Sequence, residues 1–274
     1  MNQELMIQVQ SDSNNMNFVL IGAGNLGTTL TRALIKKGFQ PVQIINRSID
    51  KANRLAEETG NPLVSSDSSH IEPCDFVIVA VSDDSIPTVL EKIPSLQAPV
   101  FHCSGSTGIS VFSDKFHRYG VFYPLQSFSS LRKINFREIP VLIEASDQST
   151  LKLLRSVAEK LSENVMEVNS ENRIRAHIAA VFASNFTNHF LLMARDYLRV
   201  HNLPDNIIDP LVRETFNRAI EMKNENVQTG PAVREDRKIL SIHEEILKND
   251  PSLQKIYNFV SESIIRYKKE KESN

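Results

Sequence analysis

An α/β sheet domain followed by an all-α domain is the fold class that this 274-residue sequence predicts, on three observations. From Asn17 onward, short apolar runs alternate with longer amphipathic ones, the pattern of a parallel sheet with crossover helices. A G-x-G-x-x-G loop lies directly between the first apolar run and the first amphipathic one. After Val168 the strand-like runs stop and helical periodicity fills the remainder. Together these predict a Rossmann-type parallel sheet followed by an all-α C-terminal domain. The expected boundaries are a polar tail over 1–16, a dinucleotide-binding domain over 17–169 and a helical substrate and dimerisation domain over 170–274.

Taken in order, the expected strands are Phe18–Ile21, Val42–Asn46, Phe76–Val81, Val100–Cys103, Val121–Tyr123, Val141–Glu144 and Val165–Val168. They are rich in Val, Ile and Phe with no polar alternation, as strands covered on both faces should be. Between them lie helix candidates Leu26–Lys37, Asp50–Thr59, Ser85–Ile93 and Ser149–Leu161. Asp84 reads as a cap at the start of the third, and Ser170, with Glu171 behind it, as the N-cap of the first helix of the second domain. Four helices then follow: Ser170–Leu198, Pro204–Met222, Arg234–Leu247 and Ser252–Tyr267. The charged run Lys268–Glu272 reads as a frayed, solvated tail.

Composition excludes several function classes. The longest apolar run, such as Phe76–Val81, is six residues, far below the ~20 that cross a bilayer, so no membrane span is expected. The stretch 1–15 has neither a basic start nor an apolar core, which argues against a secretory signal. Cys74 and Cys103 are the two cysteines and flank strand-like runs, where reduced thiols are ordinary, so a cytoplasmic protein is expected. Residues 17–169 carry 15 Lys and Arg against 16 Asp and Glu, and residues 170–274 carry 16 against 15. With no basic face in either half, the expected partner is a small molecule and not a nucleic acid.

The strongest chemical signal is Gly22-Ala23-Gly24-Asn25-Leu26-Gly27. Gly22 permits the tight turn, Gly24 lets backbone approach a pyrophosphate, Gly27 allows close packing of the helix, and the helix N-terminus faces the anion. About 20 residues further on, where an acidic residue would select NAD, stand Asn46, Arg47 and Ser48. A guanidinium pairs with a 2′-phosphate and a hydroxyl can donate to it, so NADP is the expected cofactor. No metal site is expected. Val81, Ser82 and Asp83 end the next strand at the edge where ligands of such sheets lie. The turn from His102 through Cys103, Ser104, Gly105 and Ser106 to Thr107 brings hydroxyls to the same edge, as a ligand cradle or as a helix cap.

Along the helix from Ser170, a spacing of 100° per residue puts His177, Val181, Ser184 and Asn188 within about 60° of one another, with Asn185 just outside. Buried polar groups on an otherwise apolar helix need partners, so the seam should meet either other polar groups or a wet cleft. The turn from Thr229 through Gly230, Pro231 and Arg234 to Asp236 signals a helix start, with Arg234 and Asp236 able to pair locally.

The glycine loop, Asn46-Arg47-Ser48, the His102–Thr107 turn, the run Tyr123-Pro124-Leu125-Gln126-Ser127-Phe128 and Thr229–Asp236 together resemble a bacterial family described as NADP oxidoreductases. Its members pair a Rossmann-like domain with a helical domain of unknown function, of the 6-phosphogluconate dehydrogenase C-terminal type, and no reaction is assigned to them. The first half is also similar to pyrroline-5-carboxylate reductases and deazaflavin-dependent NADP reductases, and more distantly to prephenate and β-hydroxyacid dehydrogenases. The resemblance implies a homodimer formed through the helical domain. It also marks two departures. The Lys that β-hydroxyacid dehydrogenases carry on the interdomain helix has no counterpart, His177 lying near that place, and Tyr123 stands where prephenate dehydrogenases have His.

The expected function is therefore NADP-dependent hydride transfer to a small polar carbonyl or imine in an interdomain cleft. The alternative is a dinucleotide-binding sensor or scaffold without catalysis. A reduced carbonyl or imine needs a proton donor, and imidazole titrates near neutrality, at ~6.5, whereas phenol does so near ~10. His177 is accordingly expected as general acid, Tyr123 as orienting or alternative donor, and Asn185 and Asn188 as ligands of substrate or carboxamide.

Overall fold

The computed structural model describes residues 16–112, 114–129, 134–222 and 227–273. All but Met16 of the expected polar tail lies outside them. Backbone contacts divide the chain into two compact units, one ending at Phe190 and the other beginning at Leu191.

The first unit is built on one eight-stranded sheet. Its elements run β1 (Asn17–Ile21), α1 (Asn25–Ile35), β2 (Gln40–Ile45), α2 (Ile49–Glu58), β3 (Leu63–Ser65), β4 (Phe76–Val79), α3 (Ile86–Lys92), β5 (Val100–His102), β6 (Tyr119–Pro124), β7 (Val141–Ala145), α4 (Gln148–Leu161) and β8 (Val165–Glu167). The strand order is β3-β2-β1-β4-β5-β6-β7-β8. All neighbours are parallel except β6 and β7. The chain reverses direction of travel between β1 and β4, which opens a crevice at the carboxyl ends of those strands.

Both sheet faces are covered, and this is why the central strands read as unbroken apolar runs. Phe18, Leu20, Phe76 and Ile78 point to the face carrying Leu30 and Leu34 of α1, Leu55 of α2 and Leu154 of α4. Val19, Ile21, Val77 and Val79 point to the other, against Ile86 and Leu90 of α3 and Phe112. Each such side chain contributes about 1.5–3 kcal/mol on burial, and the two cores together fix the sheet edge that carries the loops. The strand β3 escaped the sequence reading because three residues are too few to show a period.

The next helix begins at α5 (Ser170–Ala180), passes through a π-helical stretch at Val181–Phe186 and continues as α6 (Thr187–Val200). Its cap is Asn169, whose side chain accepts from the Asn172 N–H, and not Ser170, which is the first helical residue. Asp84 likewise caps nothing: it lies in a single 3-10 turn, Asp83–Ser85, that leads into α3. The π turn inserts a residue, so everything beyond it is rotated back by roughly 100° relative to an unbroken α-helix. Asn188 therefore leaves the face of His177, and His189 takes the place that even spacing gave it.

The second unit holds the remainder of α6 with α7 (Asp209–Glu221), α8 (Arg237–Leu247) and α9 (Pro251–Glu272). The Lys268–Glu272 run is the last turn of α9, stapled by an ion pair between its two end residues, and is not a frayed tail. Arg234 and Asp236 do not pair; Asp236 instead caps α8 by accepting from the Ile239 N–H at 3.3 Å. The pair α8 and α9 is joined by His243 Nδ1 and the Tyr257 hydroxyl, 2.8 Å apart. Among the described residues of this unit only Ala232 and Leu247 are buried. No described helix is long and apolar enough to cross a membrane.

Candidate functional site

The glycine loop follows β1 at the crevice. Gly22 has φ of 107°, and a Cβ there would lie 2.3 Å from the Ala80 carbonyl oxygen, so only glycine makes the turn. A Cβ on Gly27 would lie 1.9 Å from the Gly22 carbonyl oxygen, so the helix is drawn onto the loop itself. Gly24 differs: its Cβ position has nothing within 4 Å. It is the N-cap of α1, where no side chain caps the first turn. An open backbone surface at an uncapped helix N-terminus fits a pyrophosphate. Ala23 N–H donates to Asn46 Oδ1 at 3.0 Å, and Asn46 Nδ2 donates to the Ser48 carbonyl at 2.8 Å. Asn46 thus ties the loop to the end of β2 and serves as its brace, while Asn25 donates to the Phe128 carbonyl at 3.2 Å.

Arg47 and Ser48 are exposed, and Arg47 has no ion-pair or hydrogen-bond partner among the described residues. A cavity of about 1010 Å³ begins at Ala23, Gly24 and Asn25 and runs along α1 past Thr28 and Arg32, with Lys51 of α2 in its wall. Lys51 lies in the first turn of α2 and is not among the residues the sequence points to; Arg47 precedes that helix and does not line the cavity. Tyr123 and His177 do not line this cavity.

A second cluster stands at the ends of β4, β5 and β6. Ser82 and Ser85 share a hydrogen bond of 2.8 Å, and Ser106 donates to the Asp83 carboxylate. Ser104 Oγ accepts from the N–H groups of Ser106 at 3.1 Å and Thr107 at 2.9 Å, so its hydroxyl folds the turn. Within the protein Ser104 is a brace, and Val81 packs behind Gly22. His102, fully buried, accepts the Ser104 N–H on Nδ1 at 3.2 Å. Burial, reinforced by the Arg173 charge, lowers its pKa to about 4, so it holds the turn as a neutral ring.

The turn supports the pair that carries proton chemistry. Tyr123 Oη and His177 Nδ1 are 2.9 Å apart, with the rings edge to face. Gly105 is what lets them meet: a Cβ there would lie 2.8 Å from both atoms and 2.5 Å from Tyr123 Cζ. Burial first, and the Asp83 charge second, hold the Tyr123 phenol above its ordinary range, with Arg173 opposing, so the hydroxyl stays protonated. Neither thiol competes as a nucleophile, since burial pushes Cys103 to about 12 and burial with the Asp75 charge pushes Cys74 to about 11.

His177 and Tyr123 are therefore brought together. Asn185 and Asn188 are not joined to them: both are exposed and make no hydrogen bond among the described residues. The polar face of α5 is instead Ser170, Arg173 and His177. Arg173 is wholly buried, donates to the Glu144 carboxylate and reaches the Thr107 carbonyl at 2.7 Å. Ser170 Oγ donates to Glu144 at 2.8 Å and accepts from the Ile109 N–H at 2.9 Å. Only the fold could show Arg173, because an Arg on an amphipathic helix reads as a solvated charge.

The chain is also similar to known proteins. It is 36% identical to a Bacteroides fragilis protein described as a "putative NADP oxidoreductase", over 93% of this chain and 99% of that one, with a TM-score of 0.84. This chain belongs to that NADP oxidoreductase family. Residues 139–264 match a domain of unknown function, DUF2520, and residues 4–97 match a family described as shikimate/quinate 5-dehydrogenase. The fold of the family is shared more widely: an Aspergillus terreus reductive aminase in complex with NADPH superposes with a TM-score of 0.67 at 14% identity, covering 92% of this chain and 94% of that one. Among curated proteins, pyrroline-5-carboxylate reductase 2 of Dictyostelium discoideum is 30% identical over 86 residues, 30% of this chain and 29% of that protein. The chain thus spans less than a third of the length of this and other curated relatives.

Proposed function

We propose that the protein is an NADPH-dependent reductase of a small polar imine or carbonyl, with Tyr123 and His177 managing the proton. The observation that carries this reading is the 2.9 Å Tyr123–His177 contact at the strand ends, at the carboxyl edge of the sheet that also presents the glycine loop. NADP is the cofactor. The open Gly24 backbone and the uncapped start of α1 receive the pyrophosphate, and Arg47 and Lys51 receive the 2′-phosphate. When bound, NADPH supplies the hydride.

The protein's own residues supply the proton. With the Tyr123 hydroxyl donating to Nδ1, the imidazole of His177 carries its hydrogen on Nε2 and presents it to the substrate nitrogen or oxygen. Tyr123 fixes the tautomer and closes the relay: as Nε2 passes its proton to the substrate, the Tyr123 proton moves onto Nδ1, so the ring stays neutral, and the phenolate left behind regains its proton from solvent. Val81, Ser82 and Asp83, which follow β4 at the same sheet edge, would line the cofactor. The exposed apolar residues of the helical unit, Phe259 at 72% and Ile220 at 76% among them, support self-association into a homodimer through that unit.

A screen of imines, 2-keto acids and semialdehydes, read as loss of NADPH fluorescence, tests the reading. Turnover by the wild type and its loss in His177→Ala at unchanged NADPH affinity are expected; cofactor binding with no turnover of any class would make the protein a sensor. Arg47→Asp tests the cofactor assignment. Losing one charge-assisted pair of about 1.5–3 kcal/mol should weaken NADPH roughly 10- to 150-fold while leaving NADH nearly unchanged. Equal wild-type affinity for the two would refute it.

A further inference from the structure

We infer that Arg173 is the positioning residue that sets the proton-donating face of His177, by locking helix α5 to the sheet edge one turn before the imidazole. The inference rests on the role proposed for His177. Arg173 and His177 are four residues apart on α5 and share a face, with Ser170 one turn earlier on the same face. All three make contacts with the sheet edge, Ser170 and Arg173 sharing Glu144. His177 meets Tyr123 at the end of β6. Ser170 meets Glu144 of β7 and the backbone N–H of Ile109. Arg173 joins the two regions, since one arm of its guanidinium holds Glu144 and the other holds both the Thr107 carbonyl at 2.7 Å and Ser170 Oγ at 3.2 Å.

The Thr107 contact matters most. Thr107 ends the turn that carries Gly105, and Gly105 is the surface against which Tyr123 and His177 are packed. A single planar fork therefore fixes, at once, the height of α5 over the sheet and the position of the turn beneath the pair. A shift of either would open the 2.9 Å contact and free the His177 ring to exchange tautomers. Complete burial makes the lock stiff, because a guanidinium with no access to water cannot trade these acceptors for solvent. A solvated Arg would leave the helix free to slide.

Three variants test this: Arg173→Lys, Glu144→Gln, and the double Arg173→Met with Glu144→Met, which removes both buried partners together so that neither is left unpaired. In each, ¹⁵N spectra of the imidazoles, NADPH affinity, and kcat and KM are measured. Lysine keeps the charge but cannot bridge two acceptors as a fork does. The expected result is NADPH affinity within about twofold of wild type, since none of these residues lies in the glycine loop. The His177 nitrogens should move from one dominant tautomer to an averaged pair, with kcat lower by on the order of 10-fold or more and a smaller change in KM. A folded Lys or double variant that keeps the wild-type ¹⁵N signature and kcat would overturn the inference, and Glu144→Gln decides it should the double variant not fold. If the wild type turns over no substrate, the proposed reaction fails, while the ¹⁵N readout still decides whether Arg173 governs His177.

Discussion

Replacing Gly105 with Ala separates the proton chemistry from the fold more cleanly than any substitution of the pair itself. Gly105 does not have a positive φ, so alanine suits its backbone and carries no conformational penalty. The three nearest atoms all belong to side chains: the new methyl would sit 2.5 Å from Tyr123 Cζ and 2.8 Å from both Tyr123 Oη and His177 Nδ1. Ordinary carbon contacts begin near 3.5 Å, so the phenol must retreat by about 1 Å. A retreat of that size stretches the 2.9 Å hydrogen bond beyond the range in which it holds. The overpacking should cost about 1–3 kcal/mol of stability, because the displaced atoms are the far ends of side chains. Misplacing a proton donor by that distance costs about 100-fold in rate. The assay is NADPH-dependent turnover with the substrate found by the screen, beside NADPH titration and thermal melting of the same variant. A folded Gly105→Ala protein with wild-type turnover would refute the reasoning, since the pair would then be dispensable or elsewhere in the working enzyme.

Three further outcomes follow from the same geometry. Gly24→Ala meets nothing within 4 Å and should lose no more than the about 1 kcal/mol of a poorer N-cap, yet weaken NADPH by roughly 10-fold or more by keeping the backbone from the pyrophosphate; isothermal titration showing wild-type affinity would mean that the loop does not hold it. His102 is neutral in the folded protein because burial, with the Arg173 charge, lowers its pKa to about 4. Its contribution is complete above the unfolded value of ~6.5 and is lost as pH falls toward 4. The stability advantage over His102→Gln should therefore shrink by about 2 kcal/mol between pH 7.5 and pH 5 in urea unfolding, and a pH-independent difference would contradict the assignment. Light scattering at micromolar concentration should return twice the 31.0 kDa chain mass, and a monomer would leave the apolar surface of the helical unit without the partner proposed for it.

The sheet, the loop and the change of architecture are legible in the amino-acid sequence because each is written in local chemistry. Strands covered on both faces must be apolar throughout, and so Phe18–Ile21 and Phe76–Val81 were legible, although β4 ends two residues earlier, at Val79. The spacing of Gly22, Gly24 and Gly27 follows from backbone constraints that only glycine meets. Arg47 could be nominated because cofactor selection falls at a fixed place after β2, and the Arg47→Asp titration is what tests that role. Tyr123 and His177 were named separately, 54 residues apart, but their contact was not, since nothing local couples a strand end to a helix that follows two further strands. The expected polar seam failed for an identifiable reason. It assumed one helical period from Ser170 to Leu198, and the π turn at Val181–Phe186 breaks that period, moving Asn188 off the face of His177. Which charge is buried is a property of the packed fold. Arg173 looks like any solvated cation in the sequence, and it becomes the link between α5, β7 and the Gly105 turn only because Glu144 and the Thr107 carbonyl converge on it from 29 and 66 residues away. Convergence of that kind is a property of the packed sheet edge, where distant segments share one small volume.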